Sequence, residues 1–490
     1  MLLTKLIDKN TVLNKCLGKK VYVTGLSNDS RHIKKGILFA AIKGEKYDGI
    51  NFVDKVINSG ASTILCSVEG YKKIKNQNIN LLVSNNIRLS LSSISKKFYP
   101  KQPNNIVAIT GTNGKTSIAY FLNLIWKKSN LSSATIGTLG IKYRKETKNT
   151  GLTTPDPITL HKQLNSLKKN KVNYIAIEAS SHALDQHRLD AVRINCAVYT
   201  NLSRDHLDYH KNINNYFLSK KRLFSELLKN TGIAIINIDD KYGAKIREVC
   251  LSRNIKIITY GNYNADWHII KTERKKLLTK VYIKNKKNTF QFNTPIFARF
   301  QLENLLCSII IAKTYGINME KILKHIKGIS SPPGRLNKVS SAKPRLNIFV
   351  DYAHTPKALE ICLLELKNII GPNGKIIVLF GCGGNRDKGK RRLMAMVAKK
   401  HADLTYVTDD NPRYENANEI RRELVRYCSE AINIPNRRNA IIKAINQMNV
   451  EDILLIAGKG HEKYQDVKGK KIAFDDAIVA KEAAFLRSKK

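Results

Sequence analysis

Apolar residues in this 490-residue chain come in short unbroken runs, seldom in alternation with polar ones. Runs at 106–110, 174–178, 197–200 and 233–237 are mostly separated by segments of helical character. A strand buried on both faces has no polar side to show, so such runs, alternating with helices, predict a parallel, doubly wound sheet. Shorter runs at 21–23, 37–42, 63–66 and 81–83 predict a small α/β unit before it, and runs at 346–351, 375–380, 404–408 and 453–457 a third α/β unit after it. Residues 255–295 read as antiparallel strands, followed by a helix from about Gln301. Two polar, Pro-bearing breaks, Tyr99-Pro100-Lys101-Gln102-Pro103 and Ser330-Ser331-Pro332-Pro333-Gly334, divide these series. The expectation is an α/β protein of three domains, at 1–102, 103–334 and 335–490, with a central doubly wound sheet flanked by two smaller ones. No internal repeat is visible.

Composition supports a folded chain: 42% of residues are hydrophobic and 25% charged, near globular averages. No apolar run reaches the length of a membrane span, and the first residues carry no secretory pattern, so the expected location is the cytoplasm. The eight cysteines include no CxxC pair, and they read as scattered reduced thiols. The net charge of +46 suggests polyanion binding. The lysines nevertheless spread along the whole chain, and runs such as Lys271–Lys276 read as solvated surface. Compositional drift toward lysine is the favoured account, with anionic small substrates second and nucleic acid last.

The strongest local signal is Gly111-Thr112-Asn113-Gly114-Lys115-Thr116-Ser117, after the apolar run 106–110 and before a helical segment. Glycines let backbone N–H groups approach phosphate oxygens, a helix N-terminus favours anions, and a lysine reaches the outer phosphates. The Thr116 hydroxyl is placed to ligate Mg²⁺. Ile109 stands where the usual spacing has glycine, so the loop is a shortened variant.

This shortened loop resembles the Mur ligase family and also the folylpolyglutamate synthetases. Further segments resemble the Mur ligases over about 28–476: Glu178-Ala179-Ser180-Ser181-His182 through Gln186-His187-Arg188, Thr200 through His210, Pro333-Gly334-Arg335, and Val350 through Pro356. Three more resemble the branch that adds diaminopimelate: Phe380 through Arg391, Asp410-Asn411-Pro412-Arg413, and Gly458-Lys459-Gly460-His461-Glu462.

The resemblance implies an ATP- and Mg²⁺-dependent amide ligase of peptidoglycan precursor synthesis. It would activate a carboxylate as an acyl phosphate and join it to an amine. Residues 111–117 would hold ATP, with Lys115, Glu178, His206, Lys220, Arg335 and Asp351 as the catalytic set. Thr116, Glu178 and His206 would ligate Mg²⁺, joined by Lys220 as a CO₂-derived carbamate. Asn28, Ser30, Glu45, Lys46, Tyr47, Thr153, Thr154, Ser180, Gln186 and Arg188 would bind the UDP-muramoyl-dipeptide. Arg386, Asp410, Asn411, Pro412, Arg413, Gly458 and Glu462 would bind meso-diaminopimelate, Arg413 and Arg386 gripping its far carboxylate. The expected partners are these small molecules alone, with no nucleic acid or membrane insertion, and the chain is expected to act as a monomer. Gln301 departs from the family's asparagine, which predicts shifted contacts on the adenine side. Two rival readings remain: a folylpolyglutamate synthetase, which should lack the 410–413 motif and the 1–102 domain, and a basic nucleic-acid-binding protein.

Overall fold

The computed structural model describes residues 1–7, 12–15 (backbone only), 20–44, 47–75, 78–275, 278–339 and 346–489. Glu45, Lys46 and Lys276, named above, and Cys16, one of the eight cysteines, lie outside the described residues.

Three large sheets and a two-stranded hairpin, Tyr464–Val467 with Lys470–Ala473, organise the described residues. The largest has the spatial strand order Thr289–Thr294, Leu278–Asn285, Trp267–Lys275, Lys256–Gly261, Ile233–Asn237, Cys196–Tyr199, Asn105–Thr110, Tyr174–Glu178, Ser133–Gly137, Gly140–Tyr143, Glu146–Lys148. Its middle is parallel and both ends turn antiparallel. Side chains of a strand alternate between faces, so Val107 and Ile109 enter one core and Ile106 and Ala108 the other. The helices Lys115–Lys128 and Arg299–Thr314 cover the first face through residues such as Phe121, Ile125, Leu305 and Ile309. The helices Pro157–Lys169 and Lys241–Ser252 cover the second through Leu160, Leu164 and Ile246. With both faces roofed, the doubly wound reading holds.

Two expectations need correction. Lys256–Gly261 pairs parallel with Ile233–Asn237 and extends the doubly wound sheet; within 255–295 the antiparallel part is the meander 267–294. Ser133–Gly137 is a fully buried parallel strand beside Tyr174–Glu178. Its Ser-Ala-Thr-Ile-Gly sequence is too small and polar to stand out as an apolar run.

The N-terminal sheet orders its strands Val12–Lys15, Asn80–Ser84, Thr63–Ser67, Ile37–Ala40, Gly25–Ser27. The C-terminal sheet orders Asn337–Lys338, Asn347–Asp351, Ile453–Ala457, Ile376–Phe380, Leu404–Val407, Ile432–Asn433. In open parallel sheets the loops that bind ligands lie at the carboxyl ends of the strands. The loops 111–117, 179–188 and 200–206 leave the central sheet at that edge, and 381–386, 408–413 and 458–462 leave the C-terminal sheet at its own. The two edges meet: Arg204 pairs with Asp387 at 3.1 Å, Asp205 with His354 at 3.6 Å and Asp208 with Arg386 at 3.8 Å.

Candidate active site

The phosphate-type loop is held by close backbone approach. Gly111 and Gly114 have φ values of 147° and 89°. A Cβ at Gly111 would lie 1.8 Å from Thr200 Oγ1, and one at Gly114 2.5 Å from Asn304 Oδ1, so both positions need glycine. The segment after Cys196–Tyr199 braces the loop: Thr112 N donates to Asn201 O at 2.8 Å, Asn113 N to Asn201 Oδ1 at 3.0 Å, and Thr200 Oγ1 to Asn113 O at 2.6 Å. Lys115 Nζ turns back onto its own loop, donating to the carbonyls of Gly111 at 2.7 Å and Thr112 at 2.9 Å. Burial lowers its pKa, opposed by the charges of Glu178 and Asp205. Ser117 is buried in the first turn of the helix.

Glu178 ends its strand 2% exposed. Its carboxylate accepts from the Thr116 hydroxyl at 2.8 Å, the Thr138 hydroxyl at 3.0 Å and Thr138 N at 2.8 Å. No lysine or arginine among the described residues bonds it. A Cβ on Gly137 would sit 2.1 Å from its Oε1, so the neighbouring strand leaves room for the carboxylate only because residue 137 has no side chain.

Lys220 lies in the helix Ile213–Arg222 and is 1% exposed. Its Nζ donates to the Gly111 carbonyl at 2.9 Å and sits 4.3 Å from the centre of the Tyr216 ring. Burial drives its pKa well below the usual lysine value, and the charge of Lys115 pushes the same way. Its neighbour Arg222 is engaged elsewhere, with Asp190 at 2.7 Å. His206 has a left-handed backbone with φ 54° and stands 3.4 Å from Asp205. Burial lowers its imidazole to about 4, against the pull of Asp205.

The residues expected to hold the muramoyl-dipeptide form one chain of contacts. Thr154 Oγ1 donates to the Glu178 carbonyl at 2.6 Å and to Ser180 Oγ at 3.2 Å. Arg188 donates to Thr154 O at 2.7 Å and to Gln186 Oε1 at 2.6 Å, and Thr153 meets Thr138 at 3.3 Å. In the N-terminal sheet, Asn28, Ser30 and Tyr47 lie in the loops that follow the adjacent parallel strands Gly25–Ser27 and Ile37–Ala40. Asn28 and the Tyr47 ring are exposed.

Across the cleft, Asn411 is the hub. It donates to Glu462 at 2.8 Å and accepts from the buried Lys459 ammonium at 2.9 Å and from Asp466 N at 2.9 Å. Arg413 has φ 52°; its guanidinium donates to the Gly384 carbonyl at 2.7 Å and packs on Gly383. Pro412 is buried, and its carbonyl would lie 2.0 Å from a Cβ on Gly384. Asp410, Asn411, Arg413, Gly458, Glu462 and Arg386, with His354 of the same edge, line one cleft together with Asp205, His206 and Asp208 of the opposite edge. The residues expected to bind the amino acid thus face the loop that carries His206.

Arg335 and Asp351 lie at the hinge between the sheets. Arg335 donates to Thr116 Oγ1 at 3.2 Å and stacks 4.6 Å from the Tyr352 ring. Asp351 accepts from Leu336 N at 2.5 Å, and burial raises its pKa against the charge of Arg335. Gln301 is buried; its amide donates to the Arg335 carbonyl at 3.3 Å and accepts from Asn304 at 3.4 Å. The longer side chain therefore braces the hinge.

Sequence reasoning gave no role to Thr200, Asn201, Asp205, Tyr216, Tyr352, His354 or Lys459. All but Tyr216 lie inside or beside the quoted motifs, and Thr-Asn-Leu-Ser-Arg-Asp at the end of an apolar run was the available signal for the first three. Gly137 carried no signal that local pattern could use.

Three family models match the chain: "Mur ligase family, catalytic domain" over residues 22–99, "Mur ligase middle domain" over 109–312, and "Mur ligase, glutamate ligase domain" over 334–460. The chain is 39% identical to the UDP-N-acetylmuramoyl-L-alanyl-D-glutamate–2,6-diaminopimelate ligase of Rickettsia bellii, covering 95% of this chain and 97% of that protein. It is 38% identical to the ligase of the same name from Brucella melitensis, covering 93% of each. A solved structure of a ligase of that name superposes with a TM-score of 0.66 at 30% identity, covering 94% of each chain.

Proposed function

The chain belongs to the Mur ligase family, and on that premise we propose that it joins meso-2,6-diaminopimelate to UDP-N-acetylmuramoyl-L-alanyl-D-glutamate. It is an ATP-dependent, amide-bond-forming ligase of peptidoglycan precursor synthesis. The observation that carries the reading is the pairing of the two cleft walls. One holds a phosphate-type loop against a buried carboxylate, and the other gathers Asp410, Asn411, Arg413 and Glu462.

In this reading the N–H groups of 111–117 and Lys115 hold the phosphates of ATP. Lys115 leaves two carbonyls of its own loop to do so. The residues around Thr116 suit Mg²⁺, a hard cation that takes oxygen ligands. They offer a hydroxyl and a buried carboxylate to which no lysine or arginine among the described residues is hydrogen-bonded. Thr116, Glu178 and His206 would hold the ion, which supplies positive charge to the phosphoryl oxygens when bound. Lys220 suits carbamylation, because only the neutral amine reacts with CO₂ and burial favours the neutral form. As N6-carboxylysine it brings a second carboxylate to the loop, one that attracts the Lys115 ammonium.

Thr153, Thr154, Ser180, Gln186 and Arg188 orient the dipeptide, and Asn28, Ser30 and Tyr47, with Glu45 and Lys46, take the UDP. The D-glutamate carboxylate attacks the γ-phosphorus, releasing ADP and leaving an acyl phosphate. Arg335 and Asp351 complete the nucleotide side from the hinge, and closure of the two walls keeps water from the acyl phosphate. The amine of diaminopimelate then attacks the acyl carbon and phosphate departs. Arg413 and Arg386 grip the far carboxylate, and Asp410 or Glu462 receives the far ammonium. The 410–413 loop and the N-terminal sheet set this reading apart from a folylpolyglutamate synthetase.

The test is isotopic. Dipeptide substrate labelled with ¹⁸O in the D-glutamate side-chain carboxylate should pass one label to the released phosphate, with a tripeptide nucleotide as product. Turnover that leaves the phosphate unlabelled would overturn the acyl-phosphate route.

A further inference from the structure

Beneath the amino-acid wall of the cleft lies an ion pair that the reaction does not use. Arg437 is 1% exposed and Asp476 0%. They meet through two bonds, Nε to Oδ1 at 2.7 Å and one terminal nitrogen to Oδ2 at 2.8 Å. Each is the first residue of its helix, Arg437–Gln447 and Asp476–Arg487. The Asp476 carboxylate suits its helix N-terminus while the Arg437 cation opposes its own, so the dipole terms offset, and a buried ion pair seldom adds stability over well-packed apolar residues. Fold stability alone therefore gives little reason for this pair.

The rest of the guanidinium points to a different purpose. It donates to the carbonyl of Ala457 at 2.8 Å and to that of Asp409 at 3.5 Å. Ala457 closes the strand Ile453–Ala457, directly before Gly458. Asp409 stands directly before Asp410. One planar group thus ties the roots of the two loops that carry Asp410, Asn411, Arg413 and Glu462. These strands are not neighbours; Ile376–Phe380 runs between them. Above the tie the loops pack at glycines without slack: a Cβ at Gly381 would lie 2.2 Å from Thr408 O, and one at Gly458 2.6 Å from Asp410 Oδ2. A small shift at the root therefore moves the cleft side chains.

We propose that the Arg437–Asp476 pair is a positioning device for the incoming amino acid, fixing the spacing of the 409–413 and 458–462 loops without touching the substrate. The naming of that substrate rests on the function proposed above; the device itself does not. Arg437 and Asp476 are positioning residues, and their loss should show in the amino-acid step alone.

The test uses the full chain with R437K, R437M and the double variant R437M/D476L. The double variant leaves no unpaired buried charge, so it folds even where R437M does not. Expected for it is a KM for diaminopimelate raised about 10-fold or more, since misplacement near 1 Å costs up to about 100-fold in well-fitted sites. The KM values for ATP and the nucleotide-dipeptide stay within about twofold, the level of distant, independent sites. R437K, which can hold one carbonyl, falls between. Amide hydrogen exchange without substrate should quicken in 409–413 and 458–462 and not in 111–117. Wild-type exchange in those loops, or KM values for all three substrates rising together, would overturn the proposal. A wild-type enzyme that releases no phosphate with diaminopimelate would overturn the functional reading instead, and the exchange result would still decide the device.

Discussion

The two walls of the cleft hold their functional groups by different means. The phosphate-type wall is made by backbone: Gly111, Gly114 and Gly137 let loop, strand and carboxylate approach to distances no side chain permits. Its key groups, Lys115 and Lys220, share one carbonyl, that of Gly111. The amino-acid wall has close glycines of its own at 381, 384 and 458 and adds a lattice of side chains: Asn411, Lys459 and Glu462 bond one another, and Arg437 and Asp476 support them from below. A backbone cradle suits a ligand part that every such enzyme shares, the phosphates. A side-chain lattice suits the part that varies, since single substitutions can retune it. The walls should therefore fail differently.

The largest effect is expected on the first wall. Lys220→Ala should lower kcat by about 10³-fold, the scale of losing one preorganised charge-stabilising group. Short carboxylates such as acetate should restore part of it, and mass spectrometry of the intact chain should find the carbamate adduct at residue 220. Loss of activity with neither rescue nor adduct would leave the lysine catalytic in some other way. On the second wall, Arg413→Ala should raise the KM for diaminopimelate by about 100-fold, as loss of a partner from a desolvated charge pair does. It should leave the KM for ATP near its wild-type value, and an equal rise in both would merge the two walls.

Gly137→Ala probes the cradle. A Cβ 2.1 Å from Glu178 Oε1 must displace the carboxylate, and overpacking of this kind costs about 1–3 kcal/mol. Activity should fall about 10-fold or more by the free-energy scale for rates, with a lower Tm.

Acid should weaken the molecule through imidazoles that are kept neutral. His161 is buried, and burial lowers it from 6.5 to about 4; His461, on the second wall, is lowered to about 3 by burial and by the charge of Arg335. The unfolded chain takes up these protons at higher pH than the folded one. Stability is then fully present above pH 6.5 and is lost as pH falls toward 4. Tm measured across that range should drop, and His161→Phe should flatten the drop. The smallest effect belongs to the exposed pair that bridges the walls. Arg204→Ala breaks contact with Asp387, and exposed pairs contribute about 0–1 kcal/mol, so kcat should change less than about threefold, with the difference vanishing in high salt.

How much of this was legible in sequence follows the same division. The phosphate-type loop was readable because strand, glycines, lysine and hydroxyl are contiguous. So were the strands of all three sheets that are rich in Ile, Leu and Val. Ser133–Gly137 was not, because small residues satisfy burial there without an apolar run. The cradle at Gly137 was hidden, since its purpose is a carboxylate on another strand. Arg437 and Asp476 stand 39 residues apart, and nothing local marks either as paired. Gln301 could be seen as a departure, while its use against Arg335 depended on the hinge.

The most direct test of the central claim is phosphate release from ATP, Mg²⁺ and UDP-N-acetylmuramoyl-L-alanyl-D-glutamate, comparing meso-diaminopimelate with L-lysine. The account predicts release that requires the nucleotide-dipeptide and is faster with diaminopimelate, a preference that Arg413→Ala abolishes. Equal release with lysine, or a preference untouched by Arg413→Ala, would contradict it.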